Sequence, residues 1–240
     1  MRRTKLGINI DHVATLRQAR FTTYPDPATA AVIAEKAGCD SIVTHLRKDQ
    51  RHIQKEDVFL IKDLIKIPFN LEMSIAASIV SLAETLKPDQ ATLVPENRKE
   101  LTTEGGIDLV KNYKKVEKAV NRLKKKKIKV SLFIDPIKKQ IKAAKDLGVE
   151  IVEINTGQFS QKIPKEKQKK ELERIKRAAL FAKEKKFFVA AGHGLDYENI
   201  KKIVEINEIQ EFNIGHSIIC ESIFLGLAPA VKKMLSFLKK

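Results

Sequence analysis

Short apolar runs alternate with amphipathic stretches along the whole chain. In five of the runs, apolar and polar residues alternate with a period of two, which is typical of β-strands, whereas the stretches between the runs have helical spacing. Strands are predicted over residues 6–12, 41–47, 69–74, 90–96, 129–135, 151–157, 187–194 and 211–217. Helices are predicted over residues 27–38, 55–66, 76–87, 110–127, 138–148 and 197–206, over a long segment ending near residue 186, and over the C-terminal segment from residue 218, in which Gly226 and Pro229 mark a break.

These elements form eight strand–helix units in 240 residues, about 30 residues each, with no linker-like segment between them. Alternating βα units give a parallel sheet, and eight of them at this length favour a closed barrel. The alternative is an open doubly wound sheet, which often carries a glycine-rich first turn. Because the first turn reads NIDHVATLR, without a glycine fingerprint, we predict an α/β fold with a single (β/α)₈ TIM barrel over residues 1–240 and extra short helices.

Five of the predicted strands separate an apolar face from a polar face. The apolar positions are Ile8 and Ile10, Ile42 and Leu46, Leu71 and Met73, Leu132 and Ile134, and Val152 and Ile154. The polar positions are Asn9 and Asp11, His45 and Arg47, Asn70 and Glu72, Ser131 and Asp135, and Glu153 and Asn155. Chemistry in such barrels lies at the carboxyl-terminal mouth. We therefore expect the apolar sets under the helices and the polar sets inside the barrel, pointing towards that mouth.

The histidines and two glycine turns mark the same end of the barrel. All five histidines fall at the carboxyl end of a predicted strand or just beyond it: His12, His45, His52, His193 and His216. The last two strands end AAGHGL and NIGHSI, where glycines let backbone N–H groups approach a ligand closely. Barrels often hold a phosphate between these loops and a helix N-terminus. A phosphate site is therefore predicted there.

Charge and composition narrow the class of partner. The net charge is +16, from 46 lysines and arginines against 30 aspartates and glutamates, which favours an anionic partner. No run of 18 apolar residues occurs, and polar residues interrupt any signal-peptide core near the N-terminus. The two cysteines, Cys39 and Cys220, form neither a disulfide framework nor a metal motif. We therefore expect a cytoplasmic protein without a membrane partner.

Several functions could use these residues, and the sequence favours some of them over others. A Schiff-base aldolase would need a lysine facing inward at a strand end, and no predicted strand ends with one. A metal hydrolase stays open, although Asp11-His12 does not reproduce a His-x-His ligand pair. Cofactor-free acid–base chemistry fits the convergence of His and Glu. Nucleic-acid binding is disfavoured, because the lysine runs at 122–127 and 165–170 lack aromatic residues on which bases could stack.

With these motifs in view, the chain resembles the pyridoxine 5′-phosphate synthase family. The matching stretches cover nearly the whole chain: NIDHVATLRQAR with TTYPDP, THLRKDQRHI, NLEM, LVPENRKELTTEGG, VSLFID, EINTG, AGHGL and NIGHSII. The resemblance implies condensation of 1-deoxy-D-xylulose 5-phosphate with 3-amino-2-oxopropyl phosphate, giving pyridoxine 5′-phosphate, inorganic phosphate and water. It further implies that the enzyme uses no metal and no organic cofactor, and that it assembles as a homo-octamer.

The resemblance also implies roles for individual residues. His45 and Glu72 would be general acid–base groups, His193 a proton donor, and Glu153 a stabiliser of transition states. The residues implied to bind 3-amino-2-oxopropyl phosphate are Asn9, Arg20, Gly194, Gly215 and His216. The residues implied to bind 1-deoxy-D-xylulose 5-phosphate are Asp11, His12, Arg47, His52 and Thr102.

Two positions depart from the family pattern, and one loop is long for a βα connection. The family usually has His where Asn155 stands and a more acidic residue where Lys48 stands. Both positions lie beside the matching catalytic residues, so they affect fine tuning more than the reaction. The loop over residues 97–107 contains hydroxyls and glycines, and we interpret it as a lid that excludes water.

Overall fold

The computed structural model describes residues 4–96 and 105–238 of the chain. Eight parallel strands close into a barrel in sequence order, which confirms the predicted (β/α)₈ architecture. The strands are β1 (Lys5–Asn9), β2 (Ser41–Leu46), β3 (Phe69–Met73), β4 (Gln90–Leu93), β5 (Lys129–Ile134), β6 (Ile151–Asn155), β7 (Phe188–Gly192) and β8 (Glu211–Ile214). The barrel closes where β8 pairs with β1, with Leu6 opposite Phe212.

The helices lie between and after the strands. They are α1 (Asp11–Gln18), α2 (Pro27–Ala37), α3 (Lys55–Leu64), α4 (Ala77–Leu86), α5 (Leu109–Lys125), α6 (Lys138–Asp146), α7 (Gly157–Ser160), α8 (Lys165–Glu184), α9 (Ile200–Ile203), α10 (His216–Leu225) and α11 (Leu227–Phe237). The caps of α2 match its sequence: the Asp26 carboxylate accepts N–H groups of the first turn, and Gly38 ends the helix at a φ of 101°. The predicted break at Gly226 separates α10 from α11.

Some predicted boundaries were wrong. The strand predicted over 6–12 ends at Asn9, because the Asn9 Oδ1 accepts the Asp11 N–H at 2.9 Å and turns the chain into α1. The strand predicted over 90–96 ends at Leu93, and the helix predicted over 197–206 is a single turn, α9. The short helix α7 was not predicted, and four residues are too few for a periodic signal.

The barrel has an aliphatic outer layer and a polar interior. All ten apolar positions named above are fully buried and belong to one core with the helices, as expected. The interior face carries buried polar groups instead; for example, the Thr92 hydroxyl donates to the Asn70 Oδ1 at 2.8 Å. Packing of the helices onto the outer layer therefore stabilises the barrel, and the interior is left to hold functional groups.

Candidate active site

A cavity of about 670 Å³ opens at the carboxyl ends of the strands, within the usual range of small-molecule sites. Its lining includes every residue predicted for the site except two. Those that line it are Asn9, Asp11, His12, His45, Arg47, His52, Glu72, Glu153, His193, Gly194, Gly215 and His216. The polar faces of β1, β2, β3 and β6 therefore converge at one mouth, as the alternation predicted.

The two exceptions are Arg20 and Thr102. Arg20 lies just after α1, is exposed, and is not part of the cavity lining. Thr102 lies outside the described residues, as does most of the predicted lid over residues 97–107. The binding roles of Arg20 and Thr102 and the closure of the lid stay predictions.

The turn after β1 ties the first two strands together at the mouth. The Asn9 Nδ2 donates to the Asp11 Oδ2 at 3.0 Å, which fixes the carboxylate in place. The other oxygen of Asp11 accepts the backbone N–H of His45 at 2.8 Å. Asp11 therefore sets the position of the His45 backbone as well as lining the cavity.

His45 is held from its other side by Glu96, a residue that sequence reasoning did not select. The His45 Nε2 lies 3.3 Å from the Glu96 Oε1, and because a carboxylate can only accept, Nε2 carries the proton in this contact. Burial opposes ionisation of Glu96, but hydrogen bonds from His45 and the Lys48 backbone N–H, together with the charge of Arg47, outweigh it and lower the pKa of Glu96. Lys48 is one of the two departures from the family pattern, and it contacts the site through its backbone N–H.

Arg47 and His52 form a cationic end of the cavity. The Arg47 side chain is only 3% exposed, and its Nε donates to the Asp49 Oδ1 at 3.3 Å. The Arg51 guanidinium, followed by the charge of Arg47, lowers the pKa of Asp49 to about 2, although burial opposes this. The segment thus presents guanidinium groups to the cavity at any pH near neutral.

A buried ion pair supports this segment from below. Arg17 of α1 donates through both terminal nitrogens to Asp57 of α3, each at 2.7 Å, and also to the His52 carbonyl at 3.3 Å. Bidentate guanidinium–carboxylate pairs fix orientation as well as distance. The His52 Nδ1 accepts the Ile53 N–H at 2.8 Å, so the ring is oriented by its own backbone.

Two carboxyl groups lie inside the barrel below the histidines. Glu72 pairs in register with His45 on the neighbouring strand, and Glu153 pairs with Phe133. Burial raises the pKa of Glu72 well above its ordinary value, and the charges of Glu153 and Asp11 raise it further. Burial also raises the pKa of Glu153 to about 7. The pair therefore holds at least one proton near neutral pH, which is what acid–base chemistry requires.

The turns after β7 and β8 bring backbone close to the cavity. His193 has a φ of 82° and Gly194 a φ of 74°, so a non-glycine residue is held in the left-handed region. The Thr156 hydroxyl donates to the His193 carbonyl at 2.6 Å and stabilises this conformation. At Gly215 a Cβ would lie 2.7 Å from the Asn9 carbonyl oxygen, so only glycine fits there.

The helix α10 begins at His216, directly after Gly215, and the first-turn residues His216 and Ser217 line the same cavity. Such N–H groups are ready donors to an anion. The His216 ring lies 4.8 Å from the ring of His12, edge to face. Burial lowers the pKa of His12, and His216 and His52 lower it further while Asp11 opposes them, so His12 is neutral near pH 7.

Asn155, the second departure from the family pattern, has a structural role. Its Nδ2 donates to the Asp135 Oδ1 at 3.0 Å, and its Oδ1 accepts the Gly157 N–H at 2.8 Å. Asp135 in turn accepts the Gly106 N–H at 2.9 Å, at the carboxyl end of the predicted lid. The amide therefore links β6 to β5, to the start of α7 and to the base of the lid.

Within residues 4–96 and 105–238, no group of three His, Cys, Asp or Glu side chains is arranged to hold a metal ion. None of the helices in these ranges is both long and apolar enough to cross a membrane. Metal-independent catalysis stays a prediction.

Comparison with known proteins identifies the family. The family model described as "Pyridoxal phosphate biosynthesis protein PdxJ" matches residues 6–240. The chain belongs to the PdxJ family. Relatives named pyridoxine 5′-phosphate synthase include those of Legionella pneumophila (strain Corby), 50% identical over 98% of this chain and 95% of the relative, and of Sulfurihydrogenibium sp. (strain YO3AOP1), 51% identical over 96% of each. The resemblance carried by the sequence motifs is thus confirmed, and the chain is a member of a family of enzymes.

Solved structures of other proteins share the fold of this PdxJ-family chain. They include phosphoribosylanthranilate isomerase from Thermotoga maritima, with a TM-score of 0.62 at 11% identity over 98% of both chains. Another is KGPDC from Streptococcus mutans, with a TM-score of 0.65 at 15% identity over 99% of this chain and 98% of that one. At these identities the likeness supports the barrel fold alone.

Sequence reasoning about this PdxJ-family member missed the residues that hold its site residues in place. Glu96 contacts His45, Arg17 and Asp57 brace the segment of His52, and Asn213 contacts Glu153. Glu96 and Asn213 lie within motifs that were recognised, LVPE and NIGH, so their motifs were a signal. Nothing in the sequence indicated that they pair with His45 and Glu153, which lie 51 and 60 residues away along the chain.

Proposed function

We propose that the protein is a pyridoxine 5′-phosphate synthase, which condenses 1-deoxy-D-xylulose 5-phosphate with 3-amino-2-oxopropyl phosphate and closes the ring without a cofactor. The products are pyridoxine 5′-phosphate, inorganic phosphate and water. The observation that supports the proposal is one cavity lined by His45, Glu72, Glu153 and His193, in a chain matched by the PdxJ family over residues 6–240.

The two ends of the cavity suit two phosphorylated substrates. One end is built from backbone at Gly194 and Gly215 and from the start of α10, and it takes the amino ketone phosphate. The other end is built from the side chains of Arg47 and His52, and it takes the deoxyxylulose phosphate. The first end lies after β7 and β8 and the second after β2, with β1 between β8 and β2, so the two phosphates take separate strand ends of the mouth.

Glu72 and His45 exchange protons with the reacting atoms at that centre. They lie side by side on β3 and β2, and both line the cavity. Because the pKa of Glu72 is raised, its carboxyl holds a proton near neutral pH and donates it to a departing hydroxyl; as carboxylate it then accepts one from carbon. His45, with a proton on Nε2 in its contact with Glu96, is the second acid–base group.

Glu153 and His193 complete the set. Glu153 is 2% exposed, and a carboxylate held in such a site stabilises positive charge that develops on the amino or imine nitrogen. His193 sits at the tip of β7, packed over Gly157 and fixed by its strained backbone, and it acts as a proton donor to the amino ketone end.

The proposal is tested by incubating the protein with both phosphates, and with each alone, while following pyridoxine 5′-phosphate by absorbance. Product is expected only with both substrates. Glu72→Gln keeps the side-chain volume and removes the base, so turnover should fall by about 10²-fold or more. The matched control is Glu173→Gln, at an exposed position of α8, which should keep full turnover. Near-normal turnover of a folded Glu72→Gln enzyme would make Glu72 a scaffold residue.

A homo-octamer is part of the same proposal. Large apolar side chains are exposed on α10 and near α1, with Phe224 and Phe21 each 86% exposed and Ile223 64% exposed. Exposed apolar groups of this size favour burial against another copy. Light scattering of the purified protein measures the assembly size directly, and a monomer at working concentration would contradict this part of the proposal.

A further inference from the structure

Asn213 on β8 is a buried amide inside the barrel, and its side chain makes a short hydrogen bond to a buried carboxyl. Its side chain reaches past β7 towards β6, where its Nδ2 donates to the Glu153 Oε2 at 2.7 Å. Asn213 is 5% exposed and Glu153 2% exposed, so neither is well solvated. Within the described part of the chain, the Asn213 Oδ1 is buried without a hydrogen-bond partner. Leaving a buried polar atom unpaired is costly, which indicates that the Nδ2 contact determines the orientation of the amide.

Two glycines make room for this pair. A Cβ at Gly192 on β7 would overlap the Glu153 Oε1 and lie 2.9 Å from the Asn213 carbonyl oxygen. A Cβ at Gly7 on β1 would overlap the Asn213 Oδ1. Both strands that flank β8 therefore lack a side chain at the points where the amide and the carboxyl meet.

The hydrogen bond distinguishes the two buried carboxyls from each other. All the influences that act on Glu72, namely burial and the charges of Glu153 and Asp11, raise its pKa. Burial and the charge of Glu211 raise the pKa of Glu153, but the Asn213 amide opposes them. A hydrogen bond donated to a carboxylate favours the charged form, so within residues 4–96 and 105–238 Glu153 has a donor that offsets burial and Glu72 does not.

The residues beside Glu153 on the neighbouring strands offer its carboxyl no side-chain hydrogen bond. Beside it in register, β5 contributes Phe133 and β7 contributes Ala190, neither of which is charged. The titratable and charged groups facing the same interior are Glu211 from β8 with Lys5 beside it on β1, Glu72 from β3, His45 and Arg47 from the end of β2, Asp11 and His12 from the start of α1, Arg51 and His52 before α3, His193 and Asp196 after β7, and His216 from α10.

We propose that Asn213 is a positioning residue which, through its hydrogen bond, keeps Glu153 as the ionised member and Glu72 as the protonated member of the buried carboxyl pair. This inference rests on the proposed function, because it assigns the proton donor and the charge stabiliser of that reaction. It extends that function by naming the group that decides which carboxyl does which task. Asn213 acts through Glu153, so it is not itself a proton-transfer group.

Two residues on the same strand should move the ionisation of Glu153 in opposite directions. Asn213→Ala removes the donor, so the ionisation equilibrium of Glu153 should shift about tenfold towards the protonated form. Glu211→Gln removes a like charge, so the equilibrium should shift towards the carboxylate. Asn213→Leu fills the space without a donor, and it should match Asn213→Ala; it also serves if the alanine variant does not fold.

The readout is a pH titration of ¹³C-carboxyl-labelled glutamate by NMR, with Glu153 assigned by difference from Glu153→Gln. No substrate is present, so this titration stands even if the protein makes no pyridoxine 5′-phosphate. The control is Asn70→Ala, another interior amide, whose Oδ1 accepts from Thr92; it should lower stability yet leave the Glu153 titration in place.

A second readout follows the reaction. The acid limb of the pH profile of kcat should move to higher pH in Asn213→Ala and Asn213→Leu, and to lower pH in Glu211→Gln, with smaller changes in KM. Shifts in the same direction for Asn213→Ala and Glu211→Gln would overturn the proposal. So would a Glu153 titration that is unchanged when the amide is removed, or one that Asn70→Ala moves equally.

Discussion

Replacing Glu153 by glutamine should change the pH dependence of folding stability in a defined direction. In the folded protein, burial raises the pKa of Glu153 to about 7 from an ordinary value of 4.5. The folded state therefore binds more protons than the unfolded state between these values, and stability must fall as pH rises. The contribution of Glu153 is fully present below pH 4.5 and is lost as pH rises through about 7. Glu153→Gln has no proton to lose and removes this slope.

The size of the effect follows from the same values. A carboxyl that titrates near 7 instead of 4.5 costs about 3 kcal/mol to ionise in the folded protein, at ~1.4 kcal/mol for each pH unit. The group is 2% exposed, so solvent screens little of this. The variant should therefore gain about 3 kcal/mol on the wild type between pH 4 and pH 8, or about 6–12 °C in melting temperature for a chain of this size.

Two other carboxyls also make folding stability fall as pH rises, so the assay must separate the contribution of Glu153 from theirs. Burial also raises the pKa of Glu72, and it raises the pKa of Glu211 to about 7, so the wild-type curve alone does not isolate Glu153. The measurement is urea unfolding of wild type and Glu153→Gln at each pH, compared as a difference. Glu173→Gln, at an exposed position, is the control. A difference that is flat with pH, or that shrinks as pH rises, would refute the reasoning.

Three further predictions concern the cavity. Arg47→Lys should raise the KM for 1-deoxy-D-xylulose 5-phosphate far more than the KM for 3-amino-2-oxopropyl phosphate, because only the first phosphate is assigned to bidentate guanidinium contacts; equal effects would contradict the assignment. Glu96→Gln weakens the contact that holds the His45 Nε2, so kcat should fall about tenfold with little change in melting temperature, and unchanged kcat would show that His45 does not need Glu96. Exhaustive chelation should leave activity intact, since the proton transfers are assigned to His and Glu side chains; activity that was lost and then restored by one divalent metal would disprove this.

The strand pattern was sufficient to predict the barrel and the direction of its side chains. Period-two alternation assigns each residue to one of two faces, and in a closed barrel those faces are the interior and the helix layer. Glu72 and Glu153 were placed correctly for this reason. The predicted boundary of a strand was wrong where a side chain ended the strand. The Asn9 amide turns the chain into α1, and the alternation of apolar and polar residues gives no sign of this turn.

Contacts between distant residues could not be predicted in this way. Periodicity says that Asn213 and Glu153 both face inward, but not that their side chains meet, because this depends on strand register and on the glycines between them. The pair formed by Arg17 and Asp57 is hidden for a similar reason, since the strand predicted over 6–12 covers the start of α1 and no helix was predicted at Arg17. The residues that line the cavity are thus easier to find from sequence than those that position them.

The polar interior explains why the barrel needs residues that position other side chains as well as residues that line the cavity. Buried carboxyls such as Glu72, Glu153 and Glu211 oppose folding as pH rises, and the aliphatic layer under the helices must offset their cost. Without a hydrogen-bond donor to one of them, neither carboxyl would be fixed as the protonated one, because burial and neighbouring carboxylates raise the pKa of both. The amide of Asn213 determines that Glu153 is the ionised carboxyl and Glu72 the protonated one. A site that must both donate and accept protons at one carbon framework needs that asymmetry more than it needs additional titratable groups.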